Sequence, residues 1–170
     1  QGKKYKAVAM SAGGSKAVTC TFKEMASFGD MQAFAHSGFC IEAFFVDRKP
    51  GTAVHGVVCG TQQGGWGLAL RATGVPYFVF GESSKNKYVF VDASSPASTS
   101  ELTHVVAVYD FVNKAAKVYV NGKLDAASSF NGPFYPADGL AVNKFCLGDD
   151  VKVDGSYGDF PAVDMSIVDA

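Results

Sequence analysis

Apolar and polar residues alternate with period two along much of the chain, and turn residues break the alternation every ~8 to 12 positions. The clearest unit is ELTHVVAVYDFVNKAAKVYVNGKLD at 101–125. Runs of strand composition at 104–110 and 115–120 flank a polar connection at 111–114, which predicts a hairpin. Asn121-Gly122 follows at once. This pair holds the two positive φ angles of a type I′ turn most readily, so 123–126 returns as a short strand.

Upstream, 39–46 carries Phe39, Ile41, Ala43 and Phe45 on one face and Cys40, Glu42, Phe44 and Val46 on the other. A strand apolar on both faces belongs in the middle of a sheet. Further strands are predicted at 5–10 (an edge), 17–22, 54–60, 66–71, 76–81, 88–92 and 140–147, with a last alternating run holding Val163, Met165 and Ile167. Residues 23–35 are ambiguous. Met25, Phe28 and Met31 are spaced like one helical face, but Gly29 interrupts and no capping box opens the segment, so it reads as a loop with one helical turn at most. The small, polar stretch 93–100 is a loop, and 127–139, with two prolines, reads as a long surface excursion. Many short strands separated by turns, with no internal repeat, predict an all-β, antiparallel two-sheet sandwich. The expected organisation is one domain over 1–170.

Composition narrows the function classes. The 14 Phe, 7 Tyr and 19 Gly suit β structure with many turns. A net charge of −1, with 15 Lys and Arg scattered along the chain, lacks the basic footprint of a nucleic-acid or acidic-membrane binder. No apolar run reaches the ~20 residues of a membrane span. The chain has neither an initiator Met nor a signal-like segment and reads as a mature or trimmed piece of a longer protein. Cys20, Cys40, Cys59 and Cys146 stand far apart with no C-x-x-C pair, against a zinc knuckle or redox motif. Each lies in an apolar strand-like run, where a buried free thiol is the expectation and one or two disulfides the rival.

Taken in order, GFCIEAFFVDRKP at 38–50, GWGLAL at 65–70, ELTHVVAVYD at 101–110, KVYVNGKL at 117–124 and FCLGDD at 145–150 resemble the laminin-G-like and pentraxin-like branch of the concanavalin A-like lectin/glucanase superfamily. The resemblance implies a jelly-roll sandwich, a secreted, periplasmic or cell-surface location, and binding of glycans or extracellular proteins, often through calcium. Pentraxins carry a Cys where this chain has Cys40, but the family's partner position falls at Val106, so that disulfide cannot form. The family's last strand runs on into a short tail, whereas this chain stops at Ala170. More protein, including further domains, is expected beyond it.

Catalysis finds little support. Glucanases of this superfamily set two carboxylates on one strand, E-x-D-x-E or E-x-D-x-x-E, facing one cleft at a retaining separation of ~5 Å. None of the four Glu here, Glu24, Glu42, Glu82 and Glu101, is followed two residues on by Asp. There is no G-x-S-x-G elbow and no glycine-rich phosphate loop leading into a helix. His104 reads as a packed or edge residue rather than a base, and no catalytic residue is named. The acidic loop 148–159 is the better candidate. Asp149, Asp150 and Asp154 offer oxygen ligands on a flexible segment, as calcium with its ~6 to 8 oxygens requires, and the family likeness adds that the corresponding pentraxin loop holds calcium. A solvated acidic turn is the alternative. Sugar binding needs aromatic faces with a few fixed polar groups. Trp66, Tyr77 and Tyr157 are the candidates, although Trp66 alternates with Leu68 and Leu70 and fits the core equally well.

These readings make the chain a non-catalytic binding module, first for extracellular carbohydrate. A structural or protein-interaction module beside a catalytic domain comes second. A glycoside hydrolase comes third.

Overall fold

A computed structural model describes residues 8–10, 18–21, 34–48, 50, 53–60, 63–138, 144–150, 152–154 and 165–169. Twelve strands lie within them: β1 Val8–Met10, β2 Val18–Thr21, β3 Gly38–Asp47, β4 His55–Cys59, β5 Trp66–Leu70, β6 Pro76–Gly81, β7 Tyr88–Asp92, β8 Thr103–Asp110, β9 Ala115–Val120, β10 Lys123–Ser129, β11 Lys144–Leu147 and β12 Met165–Asp169. No helical element accompanies them among the described residues. Every strand pairing is antiparallel, in two six-stranded sheets of order β1-β12-β3-β8-β9-β10 and β2-β11-β4-β5-β6-β7. The fold is the expected antiparallel two-sheet β-sandwich.

Period-two alternation decides what each sheet buries. β3 turns Ile41, Ala43 and Phe45 inward, and β8 adds Val105, Ala107 and Tyr109 in the same layer. From the other sheet Leu68, Leu70, Phe78 and Phe80 meet them in one core. Each large apolar side chain fully buried there contributes roughly 1.5–3 kcal/mol. As its two-sided pattern predicted, β3 lies inside its sheet, between β12 and β8.

The hairpin at 101–125 forms as read. Asn121 and Gly122 take φ of 49° and 79°, and Asn121 is also tied to β8, its N–H donating to His104 O (2.8 Å) and its Oδ1 accepting the His104 N–H (3.0 Å). The returning strand β10 runs on to Ser129, with a bulge between Leu124 and Ala126.

The structure overturns the reading of 127–139 as a surface excursion. Its first residues complete β10, and Phe130 and Phe134 then turn into the core. Tyr109 explains why. Its buried hydroxyl donates to Ala35 O and accepts the Phe134 N–H, both at 2.8 Å, and its ring stacks on Phe130 with centroids 4.9 Å apart. Glu82, which is buried, accepts the N–H groups of Asn131 (2.6 Å) and Gly132 (2.7 Å). Two prolines mark the segment as irregular, but irregular backbone packs inside when its amides find partners.

Cysteines need a second correction. Cys59 and Cys146 are buried as expected, but Cys40 is exposed on the outer face of β3. The residue opposite it on β8 is Val108, and Val106 stands opposite Glu42. The side chain of Cys20 and the segment 22–33 lie outside the described residues.

Candidate functional site

Polar and aromatic groups converge on the outer face of the second sheet, toward its β7 edge. Alternation in β6 sends Phe78 and Phe80 to the core and leaves Tyr77 and Val79 outward. In β7 it buries Val91 and leaves Tyr88, Phe90 and Asp92 exposed. The register places Ala69, Tyr77 and Asp92 side by side, with Gly67, Val79 and Phe90 in the next row. Gly67 and Ala69 on β5 are themselves buried, so the open part of this face lies at β7. Phe90 and Tyr88 are large aromatics left open to solvent, 47% and 38% exposed, with ring centroids 6.1 Å apart. Tyr77 is 5% exposed and lies 6.1 Å from Phe90.

Arg71, just past the end of β5, extends over this surface. Its guanidinium carbon sits 3.9 Å from the Tyr77 ring centroid and 5.1 Å from that of Phe90, within cation–π range. The same guanidinium holds Asp92 in a two-point ion pair, Nε to Oδ1 at 2.5 Å and Nη2 to Oδ2 at 3.0 Å. Hydrogen bonding to Asp92 raises the Arg71 pKa, so the group stays charged. Burial pushes the Tyr77 phenol up to about 12, and it remains a neutral donor at physiological pH. At the other end of the edge the Tyr88 hydroxyl accepts the Gly64 N–H at 2.9 Å, which fixes the Tyr88 ring. Beyond it Lys85 pairs with Asp138 (3.4 Å) and Lys87 with Glu82 (3.0 Å).

The turn after β11 lies over the same face. A Cβ at Gly56 would come within 2.9 Å of the Asp149 carbonyl oxygen, so the small residue lets the turn cross close to β4. Asp149 and Asp150 are buried, with the Asp150 N–H bonded to Asp149 Oδ1 at 2.8 Å. Burial raises the Cys59 thiol well above its ordinary pKa, with Asp150 and the neighbouring Cys146 adding to the effect, and the same Asp150 acts on Tyr77.

The sequence-predicted residues therefore separate. Tyr77, Asp149 and Asp150 belong to one face. Trp66, 7% exposed, points the opposite way into the core. Asp154 is exposed, and Tyr157 lies outside the described residues. Among the described residues no three carboxylate, imidazole or thiol side chains converge as a metal centre requires, so Asp149, Asp150 and Asp154 do not by themselves make a calcium cage. Phe90, Tyr88, Arg71 and Asp92 escaped sequence reading. In YVFVD both alternating faces are rich in apolar residues, and only the pairing with β6, which sets Val91 beside the inward Phe78, tells which set faces water. On the other sheet Glu42 meets His104 at 2.7 Å, and the His104 ring stacks on Phe44 with centroids 4.2 Å apart, a packed strand residue as read.

Solved structures share this architecture. The CBM40 of the Ruminococcus gnavus IT-sialidase, bound to α2,3-sialyllactose, has 15% identity and a TM-score of 0.63, over 95% of this chain and 90% of that one. A structure of botulinum neurotoxin type C, whose cell entry depends on interaction with two ganglioside molecules, gives 14% identity and a TM-score of 0.68 over 96% of this chain and 38% of the other. The leech intramolecular trans-sialidase gives 12% and 0.64 over 96% and 25%. None of the curated proteins matches significantly. The family described as the concanavalin A-like lectin/glucanases superfamily matches residues 23–163, and with the sandwich and its strand order in place the chain belongs to that family.

Proposed function

We propose that this domain is a non-catalytic carbohydrate-binding module whose ligand lies across Phe90 and Tyr88, beside the Arg71–Asp92 pair. One observation carries the reading: two adjacent solvent-exposed rings bordered by a fixed donor and a fixed acceptor. A sugar presents CH groups to a ring face and hydroxyls around its rim, and a site of this composition answers both. Support also comes from neighbours in the same fold that bind sialyllactose and gangliosides. We take the domain as secreted, periplasmic or cell-surface, since that is where such ligands occur. No helix among the described residues is long and apolar enough to cross a membrane.

Calcium belongs to the proposal at Asp149 and Asp150, the two carboxylates of the turn over the binding face. A cation there would draw further oxygens from beyond these two. The test is a glycan array, run with calcium in the millimolar range and again with chelator. Binding to a coherent class of sugars is expected. Loss of that binding in chelator assigns calcium to the turn, and silence in both conditions sinks the module reading.

A second reading, a protein-interaction module, draws on the outer face of the first sheet. Cys40, Phe44, Val46, Val106, Val108, Tyr119 and Leu124 are exposed or half-buried there, a more apolar surface than a solvated sheet face needs.

A further inference from the structure

Resting on the carbohydrate reading above, the geometry points to a neutral sugar with adjacent hydroxyls as the ligand of the β7 edge, and away from the carboxylated sugars of the structural neighbours. Charge decides between the two. A site for an anionic sugar offers an unmatched cation to the carboxylate, most effectively a guanidinium free to bind it through two N–H groups. Arg71 is the guanidinium at the rings, and its two-point face is already taken by Asp92. The next cations along the edge are matched as well, Lys85 by Asp138 and Lys87 by Glu82. An incoming carboxylate would meet Asp92 before gaining an unshared cation.

A vicinal diol meets the opposite situation. The ion pair occupies two of the five guanidinium N–H groups and leaves the others as donors. Asp92 keeps lone pairs for a hydroxyl proton, and each sugar hydroxyl both gives and accepts. Donor and acceptor sit next to each other at the rim of the Phe90 ring, the arrangement that neighbouring hydroxyls on one pyranose edge would span. The ion pair thus acts as one neutral recognition unit whose two halves hold each other in place.

The test uses an array carrying matched neutral and sialylated versions of the same cores, lactose and α2,3-sialyllactose among them, with wild type, Asp92→Asn, Arg71→Ala and Phe90→Ala. Wild type is expected to prefer the neutral member of a pair by tenfold or more. Asp92→Asn, which frees the guanidinium, should shrink or reverse that preference, and Phe90→Ala should weaken both members. Wild type binding the sialylated member more tightly, with that gain lost in Arg71→Ala, would overturn this inference while leaving the carbohydrate reading intact. Absence of binding to every glycan would overturn both. Thermal melts of each variant separate lost binding from lost folding.

Discussion

Single buried polar groups fix how the irregular part of this sandwich is held. Tyr109 joins Ala35 and Phe134 through one hydroxyl, and burial pushes its pKa up to about 12, so the hydroxyl stays protonated and keeps both roles. Removing it in Tyr109→Phe leaves the Phe134 amide without its acceptor. The expected cost is about 1–3 kcal/mol in equilibrium denaturation, with the ring packing retained. Glu82 makes a second such prediction. Burial works to raise its pKa, but the Gly132 and Asn131 amides and the Lys87 ammonium together outweigh it and hold the carboxylate below its ordinary value of 4.5. A lowered folded pKa means that the stabilisation is present above the unfolded value and is lost as pH falls through the folded one. Urea midpoints measured from neutral pH down through the acid range should therefore fall more steeply in wild type than in Glu82→Gln. Parallel curves would remove Glu82 as a source of the acid sensitivity.

At the scale of elements, the regular strands were legible and the irregular ones were not. The Asn121-Gly122 turn and the hairpin around it follow from backbone preference alone, because few residue pairs hold two positive φ angles. Gly122 has nothing within 4 Å of where a Cβ would stand, so Gly122→Ala should cost only the conformational term, about 1 kcal/mol. Gly60 contrasts with it. A Cβ there would run into the indole of Trp66, and Gly60→Ala should cost more, about 1–3 kcal/mol, through displaced core packing. Chemical denaturation of the two variants orders them, and equal losses would contradict the packing argument. The segment 127–139 defeated sequence reading for a definite reason. Phe130 and Phe134 stand among prolines, a glycine and polar residues with no period, and their burial depends on amides met by Glu82 and Tyr109, which lie far away in sequence. Cys40 was misplaced because β3 is apolar on both faces, yet only one of them meets a second sheet.

For the molecule as a whole, fold and site were legible to different degrees. Two sheets with period-two faces follow from the alternation itself. A binding surface depends on which sheet edge is left open and which loop crosses it. Tyr77, Asp149 and Asp150 were identified from their chemistry, and the structure gathers them on one face. Phe90 and Arg71 are not legible in the sequence, because their place depends on β7 lying at the sheet edge and on Arg71 extending over the rings. Ser94 and Asp125 brace that edge against β10 on the other sheet, with the Asp125 carboxylate accepting the Ser94 N–H at 2.5 Å and its hydroxyl at 2.8 Å. For the proposed site this contact ties the segment after β7 to β10, and order present before binding lowers the ordering cost of binding.

On the proposed reading sugar binds at the β7 edge and not on the outer face of the first sheet. Its most direct test is titration calorimetry with the strongest glycan from the array, comparing Phe90→Ala with Tyr119→Ala, which truncates an aromatic on that opposite face. Phe90→Ala is expected to lose at least tenfold in affinity, about 1.4 kcal/mol, and Tyr119→Ala nothing. The reverse pattern, with Tyr119→Ala losing affinity and Phe90→Ala keeping it, would rule out the β7 edge and move the site to the other sheet.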